Sequence, residues 1–279
     1  MKKSKLKENL KYLIIFLVGL AVAMYPVISR LYYRIEANNE VHDFDTNAKK
    51  MDKKEIDRRI RLAQIYNKTL DPSKLADPYS EKEKKNAISE YARMLEVKEK
   101  IGHVEIPKIN QDLPIYAGTS EEVLQKGVGH LEGTSLPVGG KSTHTVLTAH
   151  RGLPTAKLFT DLNKMKKGDV FFIHNIKEVL AYKVIDIFVV EPSDFDKVLV
   201  VEGKDYCTLL TCTPYMINSH RLLVRAERTE YNPAAVEKDL VSQVTGKYKI
   251  YLIISLIIIA ILLWYYIRQR RRKKNNEIK

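Results

Sequence analysis

Cysteine is nearly absent from this sequence: its 279 residues include two, Cys207 and Cys212. They share the run Tyr206-Cys207-Thr208-Leu209-Leu210-Thr211-Cys212, which reads as one β-strand. Five positions apart in a strand, they point to opposite faces and lie ~16 Å apart at ~3.3 Å per residue. A disulfide needs Cα atoms within about 7 Å, so a regular strand excludes a bridge and leaves one thiol free to act as a nucleophile. Paired Cys/His spacings and compact carboxylate clusters are also missing, which argues against a bound metal. No internal repeat or low-complexity segment stands out apart from a basic C-terminal tail. Charge, too, is scarce where a nucleic-acid partner would need it. The formal net charge is +13, but residues 1–11 carry +4 and residues 268–279 carry +6, leaving +3 for everything between. The excess sits in two tails beside the two most apolar stretches, and no nucleic-acid partner is expected.

Those stretches read as membrane segments. Residues 250–267 are apolar except for Ser255 and end in Trp264-Tyr265-Tyr266, aromatics of the kind that settle at headgroup level. Six basic residues in the seven that follow, 268–274, are a cytoplasmic signal by the positive-inside rule. About 17–25 apolar residues span a bilayer, so a transmembrane helix is expected there. Residues 13–28 are interrupted only by Gly19, Tyr25 and Pro26. They form either an uncleaved anchor or a signal segment with Ala21-Val22-Ala23 as a small-residue cleavage site. Both readings put residues from about 30 to 249 outside the cytoplasm, with the basic tails inside.

Between the membrane segments the texture changes once. Residues 44–70 carry a helical pattern, with Asp45 or Thr46 as candidate cap and Ile56, Ile60, Leu62, Ala63 and Ile65 recurring at helical spacing. Two Asp-Pro steps, at Asp71-Pro72 and Asp77-Pro78, mark residues 69–80 as an exposed loop, because a residue before proline is pushed away from helix. A shorter helical pattern follows near 81–95. From residue 101 onward, runs rich in Val, Ile, Thr, Phe and Tyr alternate with Gly, Pro and Asn, at 102–106, 145–149, 170–174, 180–190, 206–212 and 221–227. Strands at that density predict a closed or sandwiched β domain, and 156–165 predicts a helical connector.

Few side chains in this domain are placed for chemistry. His42, His103, His130 and His174 lie in segments with no other reactive group nearby in sequence. His144 and His150 share a face of one strand-like run, yet stand ~20 Å apart, so one site uses only one of them. His150 ends the run where a loop begins, the position functional residues favour. After Cys212 the chain turns through Thr213-Pro214-Tyr215 and re-enters a strand at His220-Arg221-Leu222-Leu223-Val224-Arg225. If the two strands pair antiparallel, Arg221 returns beside Cys212, and only one of His220 and Arg221 can face the thiol. A guanidinium there favours a thiolate and can stabilise an oxyanion. The residues alone also allow a solvated Arg221 and a small buried Cys212.

Thr208-Leu209-Leu210-Thr211-Cys212-Thr213-Pro214-Tyr215 followed by Asn218-Ser219-His220-Arg221-Leu222-Leu223-Val224-Arg225 closely resembles the active-site region of sortases, especially the pilus-building class C. The resemblance includes Gly129-His130-Leu131-Glu132-Gly133-Thr134-Ser135-Leu136-Pro137, Thr148-Ala149-His150-Arg151-Gly152-Leu153-Pro154 and Lys157-Leu158-Phe159-Thr160-Asp161-Leu162. It covers about residues 100–230 densely. The fold it implies is mainly β: an eight-stranded sortase-type β-barrel with an N-terminal helical, lid-bearing extension and membrane-spanning helices at the ends. The implied organisation is an anchor or signal segment at 1–30, the extension at 31–100, the catalytic barrel at 101–232, a linker at 233–249, the span at 250–267 and the tail at 268–279. Implied roles are Cys212 as nucleophile, His150 as acid/base and Arg221 as anion stabiliser. Asp77, Pro78 and Tyr79 resemble the class C lid motif, with Tyr79 where other members often have Phe or Trp. Cys207 falls outside the family's active-site pattern.

The resemblance implies a cysteine transpeptidase that cleaves a Leu-Pro-X-Thr-Gly-like sorting signal of a secreted protein and passes the acyl group to a pilin lysine. No cofactor is required, because one amide is exchanged for another. Two rivals are compatible with the same residues: a housekeeping sortase whose acceptor is a cell-wall precursor, and a non-catalytic membrane scaffold for pilins. A papain-like protease would place Cys before His in the chain and add an Asn partner; here His comes first.

Overall fold

The structure, a computed structural model, describes residues 2–70 and 94–232. The Asp77-Pro78-Tyr79 segment, nearly all of the helical pattern at 81–95 and the expected C-terminal span lie outside the described residues.

Helix α1 (Lys2–Ala48) and helix α2 (Lys53–Lys68) come first. Residues 14–28 of α1 are apolar on all sides. Its most apolar window has a mean hydropathy of 2.1 and is not buried within the protein, so the helix is long and apolar enough to cross a membrane. The back of α1 is amphipathic instead: Tyr33, Ala37, Val41, Phe44 and Ala48 recur at three- and four-residue spacing and are turned toward the barrel. The expected helix start at Asp45 or Thr46 is therefore corrected. The stripe that buries Phe44 and Ala48 carries the helix through both positions, and the Asp45 carboxylate faces His103 at 3.3 Å rather than capping. The break falls at 49–52, where the Asp52 side chain accepts hydrogen bonds from the backbone N–H groups of Lys54 (2.9 Å) and Glu55 (3.3 Å) and caps α2.

Eight strands follow: β1 (Lys100–Ile106), β2 (Gln111–Ala117), β3 (Val128–His130), β4 (Thr143–Thr148), β5 (Val170–His174), β6 (Val179–Val190), β7 (Asp205–Thr213) and β8 (His220–Thr229). They close into a barrel in the order β1-β2-β3-β4-β7-β8-β6-β5. Closure leaves no free sheet edge among the described strands. Pairs β2/β3 and β4/β7 are parallel and the other six are antiparallel. A short helix, α3 (Glu121–Lys126), makes the crossover between β2 and β3, capped by Ser120. The main core runs from Ile101, Val104 and Ile115 through Leu147, Phe171 and Tyr182 to Leu209 and Val224, and the apolar stripe of α1 joins it.

The helical connector expected over 156–165 is also corrected. That stretch is a chain of tight turns, with Thr160 N–H bonded to Lys157 C=O and Leu162 N–H to Phe159 C=O, ending in a 3₁₀ turn at Leu162–Lys164. Leu158, Phe159, Leu162 and Met165 look helical in spacing because each is a plug in the core.

Candidate active site

The site is built by two strand registers that meet on β7. In the parallel pair β4/β7, Thr143 faces Asp205 and Thr148 faces Leu210, so each β4 residue meets the β7 residue 62 positions later. That offset continues past the end of β4. The Ala149 N–H donates to the Leu210 carbonyl at 3.3 Å, and the Thr211 hydroxyl donates to the Ala149 carbonyl at 2.7 Å. Beyond it, Arg151 Nη1 donates to Thr213 Oγ1 at 2.8 Å. His150 is thereby pinned on both sides at the level of Cys212. On the other flank, the antiparallel β7/β8 register sets Cys212 directly opposite Arg221, and His220 opposite Thr213.

Alternation decides which side chains share a face. Val146, Leu210 and Leu223 belong to a small outer cluster with Leu131 and Val198, whereas Leu147, Leu209 and Leu222 belong to the main core. Counting outward by twos from the first three places His150, Cys212 and Arg221 on the outer-cluster face. At strand spacings of ~4.8 Å, the three form a row about two strand gaps wide. Cys212 and Arg221 are buried, and the His150 side chain keeps 19% of its surface.

The surrounding groups fix orientation. Arg221 Nη1 donates to the carbonyls of Asn218 (3.0 Å) and His220 (3.1 Å), tying the guanidinium to the β7–β8 loop. His150 Nε2 lies 3.4 Å from Glu121 Oε1, at the first residue of α3. Glu121 is a site neighbour that sequence reading missed. It comes close only because β3 carries α3 beside the end of β4, and no local motif marks it.

His144, His130 and the second thiol lie in other surroundings. His144 is fully buried; its Nδ1–H donates to the Leu199 carbonyl at 2.9 Å, and its Nε2 accepts from the Thr208 hydroxyl at 2.8 Å. Burial, partly offset by the Leu199 carbonyl and reinforced by Arg225, lowers its pKa to about 4, so it stays neutral. His130 is likewise lowered to about 4 by burial and donates to the Ser135 carbonyl at 2.8 Å. Cys207 faces the main core, where burial and the nearby Asp205 push its thiol well above the ordinary range. Both cysteines lie on one strand and neither forms a disulfide.

A model of the sortase domain matches residues 104–229. The crystal structure of sortase C-1 from Streptococcus pneumoniae, in a His-to-Asp variant, superposes with a TM-score of 0.68 at 60% identity, over 70% of this chain and 98% of that one.

The chain belongs to the sortase family.

The pilus-related sortase C of Group B Streptococcus is similar at 60% identity and a TM-score of 0.66, covering 68% of this sortase and 97% of that chain. Sortase A of Bacillus anthracis is 32% identical over 135 residues, 48% of this chain and 61% of its own length. This sortase thus spans less than two thirds of that curated relative but nearly all of the solved class C domains.

Proposed function

We propose that this sortase is a pilus-assembling cysteine transpeptidase acting on the outer face of the membrane. The observation that supports the assignment of roles is the single row His150, Cys212 and Arg221 across β4, β7 and β8. In the reaction, Cys212 Sγ attacks the threonine carbonyl of a Leu-Pro-X-Thr-Gly-like signal and forms a C–S bond. Arg221 stabilises the charge that collects on the carbonyl oxygen. The Thr–Gly C–N bond then breaks, and His150 gives its proton to the departing glycine amine. A lysine amine of a pilin subunit attacks the thioester, the new isopeptide C–N bond forms, Sγ leaves as thiolate, and His150 takes up the released proton. Glu121 holds the imidazole in line. Asp77, Pro78 and Tyr79 form a lid in which Asp77 reaches Arg221 and Tyr79 covers Cys212 and His150. Both basic tails are cytoplasmic, with spans at 13–28 and 250–267.

The test is to incubate the full-length protein with a sorting-signal peptide and a lysine-bearing pilin domain, and to read intact masses. The expected product is the pilin carrying the peptide's acyl part through an isopeptide bond, with release of the glycine-led fragment. Hydrolysed acid alone, with transfer to a cell-wall precursor amine when one is supplied, would replace pilus assembly by surface-protein anchoring. No cleavage at all would leave a scaffold.

A further inference from the structure

The loop after Cys212 displays its apolar side chains to solvent. Tyr215, Met216 and Ile217 are 46, 70 and 71% exposed, three consecutive apolar residues left uncovered by the described residues. Met216 also holds a left-handed backbone, φ 67°, which a side-chain-bearing residue adopts only at a cost. Three consecutive exposed apolar side chains form a patch of the kind that marks an interaction site.

The anchor helix identifies the surface that patch meets. Arg30, two residues beyond the apolar stretch of α1, donates from Nε to the Pro154 carbonyl at 3.4 Å. Pro154 belongs to the loop that leaves His150. Within that loop Gly152 (φ 99°) backs onto the β7–β8 loop so closely that a Cβ there would lie 3.2 Å from the Tyr215 ring and 3.5 Å from the Met216 sulfur. Contact therefore runs from the anchor through 152–154 to 215–216. Farther along α1, Asp45 meets His103 and Glu40 meets Lys100 on β1. At ~1.5 Å per residue, the Glu40 contact lies ~15 Å and the Asp45 contact ~22 Å up the helix from Arg30. About 20 residues cross the ~30 Å hydrocarbon layer. Counted from Leu13, that number ends at Tyr32, so the Arg30 contact falls at the membrane–water boundary. Leu31, Tyr32 and Ile35 are exposed there as well.

We propose that the Tyr215-Met216-Ile217 loop is a second membrane contact, seated in the headgroup layer beside the anchor, so that the catalytic end of the barrel faces the bilayer. The three residues suit that layer: an amphipathic ring and two apolar side chains that enter without crossing. The proposal rests on α1 being inserted, and the test separates the two. Trp264 is the sole tryptophan, so Trp264→Phe supplies a dark background. Into it go, one at a time, Met216→Trp, Phe16→Trp within the anchor, and Lys141→Trp. Lys141 is exposed two residues before β4 begins, at the strand end away from His150. The full chain is reconstituted into phosphatidylcholine–phosphatidylglycerol vesicles carrying spin labels near the headgroup or at mid-chain. The expected result is strong mid-chain quenching at position 16, and headgroup quenching at 216 at least about twofold greater than at 141. Quenching at 16 with equal values at 216 and 141 overturns the proposal and leaves the anchor intact. A blue-shifted but unquenched indole at 216 would assign the loop to a second copy of the chain or a protein substrate, and also overturns it. Absence of quenching at 16 removes the anchor reading and the proposal together.

Discussion

One pair of strands carries a histidine and a cysteine at each end, and the two ends have contrasting surroundings. At the start of β4 and β7, His144 and Cys207 are fully buried. Every polar atom of the His144 ring is matched by a fixed partner, and Cys207 faces the core. Burial disfavours both charged forms, leaving a neutral ring and an un-ionised thiol. At the far end the strands run out into loops. His150 keeps contact with solvent, while Cys212 gains an arginine across the sheet. Residue type is the same at both ends; desolvation and charge partners differ.

The comparison is broken most sharply by exchanging the histidines' fates. His150→Ala should lower transpeptidation on the order of 100- to 10,000-fold, the range of general acid–base contributions. His144→Ala should keep the chemical step within a few-fold and instead cost about 1–3 kcal/mol of stability, from the unpaired Thr208 hydroxyl and Leu199 carbonyl. Single-turnover rates and denaturant midpoints of both variants would show it. A dead His144→Ala with an active His150→Ala would reverse the assignment. Arg221→Lys should come next, losing on the order of 100-fold although the charge is kept. An ammonium lacks the planar fork that Asn218 and His220 carbonyls hold in place. Parental activity in that variant would leave Arg221 a structural residue.

Smaller effects are expected farther from the row. Replacing Asp77 and Tyr79 together by Ala should speed alkylation of Cys212 by a small thiol reagent, about five-fold or more. The rate at Cys207 should not move, and equal rates at Cys212 would mean the loop does not cover the site. The least effect belongs to the clasp between α1 and the barrel. His103 lies 2.6 Å from Asp112 and 3.3 Å from Asp45, and stacks on His174, which in turn meets Glu105 at 3.2 Å. Burial works against its cation, but the Asp112 and Asp45 carboxylates prevail and its pKa is raised. A raised folded-state pKa gives stability that is fully present below the ordinary imidazole value, about 6.5, and lost as pH rises through the folded one. Thermal midpoints of the detergent-solubilised protein should therefore decline across that rise, and His103→Gln should flatten the slope. An unchanged slope in the variant would assign the pH dependence elsewhere.

The row itself is legible in the sequence. Alternation puts Arg221 rather than His220 on the thiol's side of a hairpin, and a strand end favours His150 over His144. Six of the eight strands show as Val-, Ile- and Thr-rich runs. The other two do not: β2 contains Asp112 and Pro114, and β3 is three residues long and exists by pairing with its neighbours. Asp45 and Thr46 resemble cap residues locally, yet the burial of Phe44 and Ala48 against the barrel carries the helix through them. Glu121 reaches His150 by way of a crossover that no local pattern encodes.

In the proposed mechanism the two cysteines of one strand divide into a nucleophile and a core residue. The direct measurement is to treat the full-length protein with a sorting-signal peptide, quench in acid before an amine acceptor is added, digest, and locate the acyl group by mass spectrometry. The expected result is a thioester on Cys212, none on Cys207, and its disappearance in Cys212→Ala with the fold intact. An acyl group on Cys207, or one that survives Cys212→Ala, would contradict it.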